Sequence, residues 1–219
     1  MAARRVIGVD LGGTKLLAGA VDDRMRVHHR AQRSVAGLDQ SALLDTTLDA
    51  VREVRESTDA EIAAVGFGIP ALIDQRAGIA VIAVHLPLAD LAFRDVMTER
   101  IGLPVFVDND GNATALAEHR SGAARGAREA VILTVGTGTG GGLIIRDEVY
   151  RGSIGAGAEL GHVVIEMDGP RCNGNCPNRG CVEALASESG RSRRAASWPG
   201  RWSPSSATTA TRRRSTRSR

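Results

Sequence analysis

One histidine and all three cysteines of this 219-residue chain fall within twenty residues of one another, as His162, Cys172, Cys176 and Cys181, with nine, three and four residues between successive members. Four such donors at short loop separations suit a closed tetrahedral zinc site, and the intervening Gly, Pro and Asn supply the tight turns of a knuckle. An odd cysteine count argues against a disulfide framework, and free thiols in a loop are the plainer alternative. Glu159 and Glu183 flank the ligands, where a metal would hold them as a polar binding wall.

A second cluster, Asp108-Asn109-Asp110-Gly111-Asn112, follows the apolar run 104–107 and precedes a helical pattern containing Ala113, Leu116 and Ala117. That is the end of a strand at which open α/β sheets bind ligands. A carboxylate there can take a proton from a substrate hydroxyl, and a neighbouring amide can both donate and accept. Asp110 with Asn109 is read as functional, Asp108 and Asn112 as capping or turn residues with equal ease.

Two glycine bends complete the set of chemistry-bearing residues. Asp10-Leu11-Gly12-Gly13-Thr14-Lys15 lies between apolar runs 4–9 and 16–21, and Gly136-Thr137-Gly138-Thr139-Gly140-Gly141-Gly142 between 130–135 and 143–145. Each reads as strand, bend, strand. Backbone N–H groups in such bends can approach an anion, and Asp10 can hold a cation or water facing it. Gly136, Gly138 and Gly141 satisfy the dinucleotide fingerprint, but a strand follows where that motif requires a helix; a P-loop is excluded because Lys15 is the only lysine and no GK[ST] exists. Two hairpin bends about 125 residues apart suggest a duplicated lobe clasping one polyphosphate from both sides.

The positioning elements are legible around these motifs. Leu44, Leu48, Val51 and Val54 recur at helical spacing between Asp39 and Ser57, predicting an amphipathic helix over a sheet. Buried strands are predicted over 62–74 and 79–84, a helix over 89–100 and a strand over 104–107. Aromatic residues make up 3% of the chain, so the core must be aliphatic.

The formal charge of +3 is a tail effect. Nine Arg and no acid lie in 191–219, which leaves 19 basic against 25 acidic residues before it, a balance of −6 that does not suit a polyanion binder. The tail has no Val, Ile, Leu, Met or Phe and is expected to be disordered. No apolar run is long enough for a bilayer and no signal segment opens the chain, so a cytoplasmic protein with reduced thiols is expected, with no membrane or nucleic-acid partner.

In this order DLGGTK (10–15), VDNDGN (107–112), GTGTGGG (136–142), AELGH (158–162) and GCVE (180–183) resemble the ROK family of bacterial sugar kinases and related repressors, over about Arg5 to Ser187. The resemblance implies an actin-like ATPase (ribonuclease H-like) fold of two α/β lobes. Residues 1–120 would form the N-terminal lobe and 121–190 the first part of the C-terminal lobe with its zinc knuckle. It also implies ATP with Mg²⁺ as phosphoryl donor, a hexose as acceptor, and a homo-oligomer in the full-length family. Asp110 would be the base, with Asn109, Glu159, His162 and Glu183 on the sugar. Asp10, Gly12, Gly13, Thr14, Lys15, Gly136, Thr137, Gly138 and Thr139 would hold the phosphates, and His162, Cys172, Cys176 and Cys181 structural Zn²⁺. Glucose is the first expectation for the sugar, with N-acetylmannosamine and fructose as alternatives.

Three departures accompany the resemblance. The family knuckle usually has one residue between its first two cysteines where Asn173, Gly174 and Asn175 stand here, and His85 replaces an Asn before Leu-Pro. Beyond Ser187 the Arg/Ser/Ala/Thr composition is what out-of-frame translation of a GC-rich gene would give. The second lobe is therefore expected to be incomplete, leaving ATP without an adenosine pocket and the strands after Gly142 without covering helices. An inactive kinase fragment is the corresponding alternative to an active kinase. A repressor would need a helix-turn-helix ahead of the first strand, and a zinc-knuckle nucleic-acid binder would need aromatic platforms that are lacking.

Overall fold

The computed structural model describes residues 4–83, 85–172 and 176–197. Strands β1 (Arg4–Leu11) and β2 (Lys15–Val21) form the first hairpin, and β3 (Val27–Ser34) adds an antiparallel edge. Helix α1 (Gln40–Glu56) crosses to β4 (Glu61–Ile69), which runs parallel to β1. A small antiparallel sheet of β5 (Ala71–Asp74), β6 (Ile79–Ala83) and β7 (Ala89–Leu91) follows, then α2 (Phe93–Ile101) and β8 (Val105–Asn109), parallel to β4. The main sheet is thus ordered β3-β2-β1-β4-β8. After α3 (Asp110–Ser121) comes a second sheet of β9 (Glu129–Val135), β10 (Thr139–Ile145) and β11 (Glu148–Val149), and the chain closes with a 3₁₀ turn at Leu160–His162, α4 (Val182–Ala186) and α5 (Glu188–Ser197).

The amphipathic pattern of α1 does what its spacing predicts. Asp39 caps it by accepting from Ala42 N–H at 2.8 Å, and Leu43, Leu44, Ala50, Val51 and Val54 are buried against β1, β2 and β3. Burial of each of the larger aliphatic side chains contributes roughly 1.5–3 kcal/mol. The core is aliphatic, and Phe67 packs edge-on to Phe93 in it at 5.1 Å between centroids.

Two sequence expectations need correction here, and one strand has no counterpart among them. Residues 89–91 are not helical: they pair with β6 (Ala80 with Leu91, Ile82 with Ala89), and the helix begins only at Phe93. The stretch 27–34 was not anticipated as a strand because Ala31 is its only buried residue; its conformation comes from the ladder with β2, not from an apolar pattern. The tail boundary at 191 also moves, since α5 continues to Ser197. Its first residues are held by Ser189 Oγ donating to Thr137 O at 2.8 Å and Glu188 N–H to Gly136 O at 2.9 Å. Expectations for 198–219 lie outside the described residues.

Helix α3 is the seam of the molecule, packing on β4 and β8 on one side and on β9 and β10 on the other. The approach is backbone to backbone: a Cβ on Gly111 would run into Gly141 O, and one on Gly142 into Ala115 Cβ and Gly111 O. The run 139–145 is therefore strand, and Gly140, Gly141 and Gly142 are not part of an anion-binding bend as the sequence suggested. The bend is confined to Gly136–Gly138 and closed by Gly136 N–H to Gly138 O at 2.9 Å. Alternate side chains of β9 are open to solvent, with Val131, Leu133 and Val135 more than half exposed.

Gly142→Val should therefore lower stability by about 1–3 kcal/mol through overpacking at the seam. Gly66→Ala, where an added Cβ meets nothing within 4 Å, should cost much less; urea denaturation of both variants checks the contrast.

Candidate functional site

Asp110 is the first residue of α3, at the carboxyl end of β8. Asn109 caps the helix: its Oδ1 accepts from Gly111 N–H at 2.9 Å and Asn112 N–H at 3.2 Å, and its Nδ2 donates to Ala71 O at 3.3 Å. Asp110 itself accepts from Gly111 N–H through Oδ1 at 2.9 Å and from the Asn109 side chain, and its remaining lone pairs are left for a ligand. Burial pushes Asp110 above the ordinary carboxylate range, the Gly111 N–H draws it back, and the carboxylate of Asp10 pushes it up further. Asp10, at the end of β1, is itself raised by burial. The exposed Asp10 and the half-buried Asp110, 100 positions apart in the chain, thus lie close enough beside the first glycine bend for one carboxylate to raise the other. There Gly12 N–H donates to Lys15 O at 2.9 Å, and His85 lies against Gly13.

Asp108 has a different task. Its Oδ2 accepts from Arg151 Nε at 2.9 Å and Nη2 at 2.6 Å, and its Oδ1 from Asn109 N–H at 2.9 Å and Asn112 Nδ2 at 3.3 Å. With four donors on it, it is a structural carboxylate, the plainer of the two readings its position allows.

The knuckle gathers as its spacing suggests. One ligand atom from each of His162, Cys172, Cys176 and Cys181 lies within 4.8 Å of the others. Cys172 Sγ is 3.5 Å from His162 Nδ1, and Cys176 Sγ is 3.9 Å from Cys181 Sγ. A tetrahedron with zinc–sulfur bonds of about 2.3 Å has sulfur–sulfur edges of about 3.8 Å, so the donor set and its separations fit a zinc ion. Residues 173–175, the longer loop between the first two cysteines, lie outside the described residues, yet the sulfurs on either side meet. Burial pushes the Cys181 thiol up, a cost that a bound cation would relieve by taking the thiolate.

Glu159 is exposed beside His162, with Oε2 4.0 Å from His162 Nε2. Glu183 is not a free wall residue. Its Oε2 accepts from Thr139 N–H at 2.9 Å, its Oε1 is 3.8 Å from Cys172 Sγ, and a Cβ on Gly138 would sit 2.8 Å from that carboxylate. The second bend, the knuckle and Glu183 are therefore one contiguous structure. Thr139 Oγ1 is buried there without a hydrogen-bond partner among the described residues. Sequence reasoning missed Arg151 altogether, because a lone Arg in a glycine-rich stretch carries no local signal.

Residues 6–217 match the model of the ROK family. The chain belongs to the ROK family. Among ROK proteins it is 40% identical over 185 residues to a glucokinase of Thermotoga maritima, covering 84% of this chain and 57% of that one. It is 31% identical to the xylose repressor of Bacillus spizizenii, covering 83% and 47%. The crystal structure of a ROK family glucokinase from Streptomyces griseus in complex with glucose and AMPPNP superposes with a TM-score of 0.77 at 36% identity, over 89% of this chain and 62% of that one. The two-lobe actin-like ATPase fold expected from the ROK resemblance is thereby shown, and this chain spans about half the length of the curated relatives it matches. No helix among the described residues is long and apolar enough to cross a membrane.

A carboxyl raised by burial binds its proton more tightly folded than unfolded, so it costs stability as pH climbs from the ordinary carboxylate range through the raised value. Asp110→Asn removes that cost and keeps an acceptor for Gly111 N–H. The variant should melt above the parent at neutral pH, and the gap should close as pH falls below the ordinary carboxylate range; thermal denaturation across pH 3–8 measures it.

Proposed function

We propose that this chain carries the catalytic core of an ATP-dependent hexose kinase acting on glucose. The observation that supports it is Asp110, half-buried at the start of α3, raised above the ordinary carboxylate range and facing Asp10 at the first glycine bend. A carboxylate so raised is a better proton acceptor at neutral pH than an exposed one. Asn109 and Asp110 approach the sugar from one lobe, and Glu159, His162 and Glu183 from the other. As the sugar's primary hydroxyl oxygen attacks the γ-phosphorus and the bond to the ADP oxygen breaks, Asp110 takes the hydroxyl proton. Of the two bends, the N–H groups of Gly12, Gly136 and Thr139 already have partners, so those of Gly13, Thr14, Thr137 and Gly138 would hold the phosphates, and positioning carries most of the rate. Mg²⁺, which Asp10 would hold, would neutralise phosphate charge.

Zn²⁺ held by His162, Cys172, Cys176 and Cys181 would fix the sugar-side wall as a structural ion. His162 would ligate through Nδ1, leaving Nε2 toward Glu159 and the sugar. The identity to glucokinases, and a solved relative crystallised with glucose and AMPPNP, support glucose and ATP over other pairs. A sugar-responsive repressor is the second reading, favoured by the likeness to the xylose repressor.

Coupled measurement of ADP release from the purified protein with glucose and ATP tests the kinase reading: sugar-dependent turnover is expected, and glucose binding without turnover would leave a repressor or an inactive kinase fragment. Asp110→Asn should lower turnover on the order of a hundredfold or more while glucose affinity stays within a few-fold. Elemental analysis should find about one zinc per chain, lost in Cys176→Ser; protein purified without chelators and free of zinc would remove the knuckle assignment.

A further inference from the structure

The ion pair between Asp108 and Arg151 joins the two sheets at the site. Asp108 ends β8 of the main sheet, whereas Arg151 follows β11 of the second sheet. Its segment is pinned there by Tyr150 N–H to Leu143 O at 2.8 Å and by Gly157 N–H to Arg151 O at 2.8 Å. The pair is shielded, with 16% of the Asp108 and 30% of the Arg151 side chain exposed, and both guanidinium N–H groups converge on one carboxylate oxygen. The other oxygen of Asp108 holds Asn109 N–H and Asn112 Nδ2. Those residues belong to the first turn of α3, whose cap, Asn109, and first residue, Asp110, are the groups that the kinase reading puts on the substrate. Eight residues beyond Arg151 the same segment delivers Glu159, and then His162.

We propose that Arg151 is the positioning residue of this site: by holding Asp108 it fixes the turn that carries Asn109 and Asp110 and sets that turn against the segment carrying Glu159 and His162. Arg151 touches no substrate atom. Its planar fork, which delivers two donors to one oxygen, fixes direction as well as distance, and an ammonium cannot reproduce that. Displacement of a reacting group by about 1 Å costs on the order of a hundredfold in rate. The substrate and the role of Asp110 are taken from the kinase reading, but the tie itself does not depend on it.

Arg151→Met keeps the aliphatic stem but leaves the Asp108 charge buried and unpaired, so Asp108→Asn/Arg151→Met, which leaves no charge over, carries the decision. Peptide-resolved hydrogen exchange without substrate should show the amides of 109–114 exchanging roughly tenfold faster in the double variant, with β4 unchanged. Its unfolding midpoint should return to near the parent's. Its kcat for glucose should stay ten- to a hundredfold low with the KM for ATP unchanged, and Arg151→Lys should recover part of the rate. Unchanged exchange over 109–114 in the double variant, or a kcat that simply follows the unfolding midpoint through all variants, overturns the proposal. A parent chain that turns over no hexose would sink the kinase reading instead, and the exchange result would still decide the tie.

Discussion

The contact on which the rest of the structure depends is the backbone approach of α3 to β10. Gly111 and Gly142 let a helix lie directly on a strand, which puts the α3 N-terminus, with Asn109 and Asp110, at the junction of two sheets. A methyl group at either glycine would push the layers apart, and interiors packed at crystal-like density have no slack to absorb it. The tight seam fixes Asp110 relative to the second bend through β10, which begins at Thr139, and relative to the first through β8, β4 and β1.

Three aspartates near that seam show how environment separates identical side chains. Asp108 is compensated by Arg151 and two further donors and serves as structure. Among the described residues no cation pairs with Asp10 or Asp110, and burial raises both. Two uncompensated acids facing each other are expensive in an isolated fold and useful once a cation and a substrate hydroxyl arrive, as expected where stability is traded for reactivity. Glu183 extends the logic to the other side: in its hydrogen bond to Thr139 N–H the wall beside the cysteine cluster and the second bend become mechanically one.

Much of this was legible in the sequence where the signal is local. The cysteine and histidine separations announced the cluster, because four donors on one short loop can hardly avoid one another. The apolar spacing in 44–54 announced α1, and β-branched runs broken by glycine announced both hairpins, since short bends between strands leave the chain no other course. Local signal failed where conformation is imposed from elsewhere. Strand β3 has one buried residue and is a strand because β2 offers it a ladder; β7 is three residues held by β6. Gly140, Gly141 and Gly142 look like a phosphate loop in the sequence, but what needs them is a helix whose contacts no spacing rule reveals.

The sequence by itself determined the inventory of chemistry: a carboxylate and an amide at a strand end, two glycine bends, four metal-type donors and two flanking glutamates, with family membership following from their order. Only the tertiary structure decided the partners. It assigned Asp108 to Arg151 and left Asp110 facing Asp10, and it turned Glu183 to the backbone of Thr139. Residue type and spacing fix what a group can do, whereas burial and the long-range neighbour fix its charge state and direction, and those exist only once strands far apart in the chain have packed.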